Sequence, residues 1–189
     1  MHNLIVPAGA PTKFAGKNIV SRWPYVMPGE LVVPNGETGQ LFENATFLCT
    51  LDKPFETWWM GADVYPMTSE TANVAPILAK QLGDILHQLV KLQVDYVNLD
   101  QKITKAAARM NQLFDKNTKR WSWGPQPNTI VRQQGYTVSV SNLAAAVGAT
   151  FSTGDWGNIA QQNVSHLRIT CEFIGYLLVL EGGSEEAKK

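Results

Sequence analysis

Leu78, Leu82, Ile85, Leu89, Leu92, Tyr96, Leu99, Ile103, Ala106, Met110 and Leu113 are apolar positions spaced alternately four and three apart. A period of 3.5 keeps one stripe of a helix against a partner, and five heptads of it predict a coiled coil. A helix through these positions would be about 54 Å long at about 1.5 Å per residue, too long to hide its stripe on one small domain. The expected partner is a second and third copy of the same chain. A helical hairpin, or a helix lying across its own sheet, is the alternative. Between residues 85 and 97 further apolar side chains, Leu86, Val90, Val94 and Val97, extend around the circumference. Surface of that breadth favours a trimer over a two-stranded coil.

The segments around the helix read as β structure. Residues 1–22, punctuated by Pro7, Gly9, Pro11 and Gly16, predict an extended arm. Residues 23–72 predict a β lobe, with strands at Glu30–Val33, Gln40–Phe42, Thr46–Thr50 and Phe55–Met60 separated by turns at Asn35-Gly36 and Asp52-Lys53-Pro54. Asn73 serves as the N-cap of a helix over 73–117. Residues 118–181 predict a second β-rich lobe. Its strands are Thr137–Ser141, which alternates, and His166–Phe173, with Gly175 marking a bulge that switches the facing of the apolar run behind it. A polar tail closes the chain at 182–189. The expected fold class is therefore α+β, short β-sandwich-like lobes flanking a long coiled-coil helix.

Composition narrows the function. Charged residues make up 17% of the chain, against about 25% in typical soluble proteins. With six tryptophans, that low fraction predicts a surface covered by subunits or neighbours. The formal net charge is zero, whereas phosphate binding wants a basic face, so no nucleic-acid partner is expected. No stretch approaches the roughly 20 apolar residues of a membrane span, and residues 1–16 lack the pattern of a signal peptide. The triplets at Asn44 and Asn163 match the glycosylation sequon, a pattern common by chance. Cys49 and Cys171 read as small buried hydrophobes; spacing alone leaves a disulfide between them open.

Catalytic patterns are not visible. The three histidines are His2, His87 and His166. His166 and Cys171 lie five apart, on opposite faces of a regular strand, which does not suit a nucleophile and its base. No ligand spacing for zinc or calcium and no phosphate-cradling glycine loop appears, so neither metal nor cofactor is expected. Trp58, Trp121 and Trp123 carry the one ambiguous signal. They read as interface or core aromatics, or else as stacking platforms for a sugar or receptor.

The order of arm, β lobe, coil and β lobe, and the stretch Phe42-Glu43-Asn44-Ala45-Thr46-Phe47-Leu48-Cys49-Thr50-Leu51-Asp52-Lys53-Pro54-Phe55 in particular, resembles tailed-phage virion proteins of the head-decoration, cement or fibre-base type. The resemblance implies a β-hairpin over that stretch, a capsid or tail partner, trimers matched to particle symmetry, residence in the virion after assembly in the host cytoplasm, and no enzymatic activity. It assigns no role to any single residue. A carbohydrate- or receptor-binding module using the tryptophans is the alternative expectation.

Overall fold

The computed structural model describes residues 6–34, 44–67, 86–88, 90–97, 103, 107–115, 120–142 and 166–182. Two antiparallel sheets enclose one core in a sandwich-like arrangement. In chain order the elements are β1 (Lys13–Phe14), β2 (Lys17–Pro34), β3 (Asn44–Leu48), β4 (Phe55–Met67), β5 (Val90–Tyr96), β6 (Ala108–Arg109), α1 (Met110–Leu113), β7 (Arg120–Ser122), β8 (Asn128–Ile130), β9 (Gly135–Asn142) and β10 (His166–Leu180). The larger sheet runs β1-β2-β10-β4-β7, with β8 also paired to β4. The smaller runs β3-β9-β5-β6. Strands from before and after residues 73–117 share both sheets, so there are no separate lobes with a coil between them.

The long coiled-coil helix is overturned. Among the described residues, helix is confined to residues 86–88 and α1, and the middle of the proposed seam is strand β5. Val90, Leu92 and Val94 are fully buried while Lys91, Gln93 and Asp95 are not. That is period 2, and β-branched Val90 and Val94 suit a pleated strand better than a helix. A spacing of four fits both periods, so Leu92 and Tyr96 share a face in either conformation. Met110 lies in α1 with its side chain fully buried, and Ile103 and Leu113 pack against the same core. These apolar residues are therefore covered by the chain's own sheets, which removes the reason for sister helices. Leu78, Leu82, Ile85, Leu89, Leu99 and Ala106 lie outside the described residues, as do the expected N-cap Asn73 and the strand at Gln40–Phe42.

Other expectations hold. Glu30–Val33 lies within β2, Phe55–Met60 opens β4, and Thr137–Ser141 lies in β9. His166–Phe173 opens β10, whose Leu167, Ile169, Cys171 and Phe173 all face the core. The register of β10 against β4 shifts at Gly175, between Ile174↔Trp59 and Gly175↔Thr57. The extra residue is Trp58, so the bulge belongs to β4 and Gly175 is the residue it presses on. A Cβ on Gly175 would sit 1.9 Å from the Glu56 carbonyl oxygen. The stretch from Phe42 to Phe55 does not form a hairpin, because β3 pairs with β9 and β4 with β10. Residues 49–54 instead pass from one sheet to the other.

Candidate functional site

The bulge at Trp58 arranges the most polar part of the interior. Before it, Phe55 faces the core; after it, Met60, Ala62 and Val64 do. Glu56 consequently lies on the opposite face of the sheet, in register with Tyr176, and it is almost fully buried, 1% exposed. Burying a carboxylate is costly unless it is paired and hydrogen-bonded. Arg22 of β2 supplies the pair, its Nε donating to Oε2 at 2.7 Å and its Nη2 to Oε1 at 3.0 Å. The Trp58 indole N–H donates to Oε2 at 3.0 Å. Arg22 Nη2 also donates to the Pro11 carbonyl, tying the arm to the sheet. Ile174, Tyr176 and Leu178 are buried on the same face. Burial, and then the Glu56 charge, raise the pKa of the Tyr176 phenol, with Arg22 opposing them.

Farther along the face, Asp63 accepts from the Val64 amide at 3.0 Å and the Tyr65 hydroxyl at 3.2 Å, and contacts His87 Nε2 at 2.8 Å. His87 comes from the helical residues 86–88, whose Leu86 is in the core, so the contact ties that segment to β4. Burial, and then Asp63, raise the Tyr65 pKa. These polar side chains therefore serve the fold: the Arg22–Glu56 and His87–Asp63 pairs each hold two segments together. Among the described residues, no group of three His, Cys, Asp or Glu side chains is placed to hold a metal ion. Cys49 and Cys171 are both buried and unbridged, and burial pushes the Cys171 thiol up to about 12.

The core between the sheets is aromatic. Tyr136 stacks on Phe173 at 4.5 Å between ring centres and on Trp123 at 5.3 Å, and Trp123 contacts Trp121 at 4.9 Å. The Tyr136 hydroxyl crosses from β9 to donate to the Thr57 hydroxyl of β4 at 2.9 Å. Trp58, Trp121 and Trp123, singled out from sequence as possible ligand contacts, are thus set inward. Trp58 is 3% exposed, and Trp121 and Trp123 pack against the core. The Trp123 amide also donates to the carbonyl of the bulged Trp58 at 3.2 Å. Trp58 is enclosed, whereas Trp121 and Trp123 are half-buried, packed against each other and the core.

The residues that do reach outward lie elsewhere. Six large hydrophobic side chains remain exposed among the described residues, and three of them, Val20, Trp23 and Val26, belong to β2. Trp23 is 52% exposed, and the Lys53 ammonium sits 3.6 Å above its ring. Sequence reading passed over Trp23 because it stands alone, without the pairing that drew attention to Trp58-Trp59 and Trp121/Trp123. No described helix is long and apolar enough to cross a membrane. No protein-family model, curated protein or solved structure matches this chain.

Proposed function

We propose that this protein is a non-enzymatic structural component of a larger assembly, a virion being the assembly the sequence resemblance points to, and that it meets its neighbours through the side chains of β2. The observation that carries the reading is the concentration of exposed Val20, Trp23 and Val26 on one strand of the larger sheet. Trp23 and Val26, three residues apart, lie on opposite faces of β2, so this strand offers apolar side chains to a neighbour on both faces. The low charge fraction agrees with a surface that is partly covered in use. The internal duties of Glu56, Arg22, Asp63 and His87 agree with a chain whose polar groups serve shape.

Light scattering on the full chain up to about 100 μM tests the self-contact part, since interfaces of modest size bind in the micromolar range. A defined multi-copy mass that falls to a single copy in the variant carrying Val20→Asp and Trp23→Asp is expected, with circular dichroism unchanged. A single-copy mass for the parent at every concentration overturns it. The particle itself is tested by peptide mass spectrometry of purified virions from the source; their lacking the chain overturns the virion reading.

A further inference from the structure

The three prolines of β2, Pro24, Pro28 and Pro34, lie at positions where a backbone N–H would point away from β10. In an antiparallel strand successive residues direct their backbone groups to alternate neighbours. The Leu178 amide donates to the Pro54 carbonyl at 2.9 Å, on the β4 side. Even-numbered residues of β10 therefore face β4 and odd-numbered ones face β2. The odd residues of β10 pair with the odd residues of β2, from Val179↔Ser21 to Leu167↔Val33. The backbone groups of Arg22, Pro24, Val26, Pro28, Glu30, Val32 and Pro34 consequently point off the sheet. Two further bonds fix the same parity from the other end. The Glu181 amide donates inward to Asn18, and the Ile19 amide donates outward to Thr12; both lie before the bulge at Val20, which reverses the parity of β2 while that of β10 runs on.

Among the described residues, that outer edge is unpaired beyond Ile19. β1 pairs only with Lys17 and Asn18, and among the described residues no strand pairs with β2 beyond them on that side. A long strand with exposed valines and an unpaired edge is a template for another strand. Proline removes the donor such pairing needs, and an edge position tolerates it because the lost N–H had no partner in the sheet. Pro66 of β4 obeys the same rule: opposite the odd residue Leu167, it directs its missing N–H away from β10.

We propose that Pro24, Pro28 and Pro34 form a guard that keeps the β2 edge of one copy from pairing, strand to strand, with β2 of a second copy. Contact at β2 is thereby limited to side chains. The guard goes beyond the assembly role, since it holds whether or not the parent associates through those side chains.

The test restores the donors with Pro24→Val and Pro28→Thr in the full chain. Light scattering should show a weight-average mass about twofold or more above the parent's at equal concentration, growing with concentration. Hydrogen exchange should show new protection at the Val26 and Glu30 amides, which exchange freely in the parent while those of Met27 and Leu31 do not. A folded variant with the parent's mass distribution and unprotected Val26 overturns the guard. Should the double variant fail to fold, single prolines decide. Val32→Pro, at an outward position, should leave a cooperative thermal transition, whereas Leu31→Pro, facing β10, should abolish it. Equal damage from both overturns the parity on which the guard rests.

Discussion

β2 and β4 flank the same strand, β10, in the same sheet, yet they are used in opposite ways. β4 is buried on both faces over most of its length, and β7 and β8 close its other edge on either side of the Trp58 bulge. It carries the buried Glu56 and Thr57. β2 is the longer strand, its outer edge is unpaired among the described residues over most of its length, and it leaves valines and a tryptophan in water. Hydrophobicity does not separate the two strands; what lies beside them does. Polar residues in β4 are structural because their partners are fixed, and Val20, Trp23 and Val26 of β2 are available because the described residues leave them exposed.

The contrast is broken if substitutions on the two strands cost the same. The largest effect is expected from Glu56→Ala, which strands the Arg22 guanidinium and leaves the Trp58 indole without its acceptor. Removing one partner of a buried pair costs about 3–5 kcal/mol, read from urea unfolding midpoints. Replacing both, Arg22→Met with Glu56→Leu, should recover most of that loss. Next comes alkali. Burial pushes Tyr96 up to about 12 from 10.0 and Cys171 to about 12 from 9.0, and raises Tyr136 and Tyr176. The folded state keeps these groups neutral after the unfolded chain has begun to ionise. Their contribution is complete below about pH 9 and is lost as pH rises towards about 12. The unfolding midpoint should fall through that window, and tyrosinate absorbance should appear together with unfolding.

Tyr136→Phe sharpens the comparison further, because it removes the bond that joins β9 to β4 and leaves the Thr57 hydroxyl unpaired, at a cost of about 1–2 kcal/mol. The smallest effects belong to the exterior. Trp23→Ala on β2 should cost under about 1 kcal/mol, the worth of an exposed cation–π contact. Asp52→Ala, which breaks the exposed pair with Arg132, should fall below about 0.5 kcal/mol. A Trp23→Ala loss approaching that of Glu56→Ala would show that β2 holds the fold as β4 does.

The strands were legible where one face is buried and the other less so, as at His166–Phe173. There the alternation of apolar and polar residues is the direct imprint of a sheet with one dry side. They were hidden where burial wraps around the chain. Leu86, Val90, Val94 and Val97 were read as the broad flank of a helix, although alternating valines with Leu92 and Tyr96 are also what a covered strand requires. The deciding quantity was the second sheet position, supplied by β9 from some forty residues away, and no local period reports it. The bulge was legible at Gly175, but its owner was not. Only pairing shows that the extra residue is Trp58, on the neighbouring strand. The Arg22–Glu56 pair left no local trace, because its members stand 34 residues apart and each looks like an ordinary surface charge in an alternating run. The exposed tryptophan was missed for a related reason: exposure is a property of neighbours, and Trp23 has none in sequence that announce it.

The place of β10 between β2 and β4 has a consequence for biosynthesis. The two strands are bridged by a segment that leaves the ribosome after both of them. Until His166–Leu180 has been translated, neither has its ladder to β10, and the nascent chain must carry both strands with that edge unpaired. Completion of the sheet is a late, non-local event, which slows folding and lengthens exposure to chaperones. A premature stop just before His166 therefore removes the middle of the sheet, and the shortened product should be cleared rather than accumulate as a smaller version of the protein.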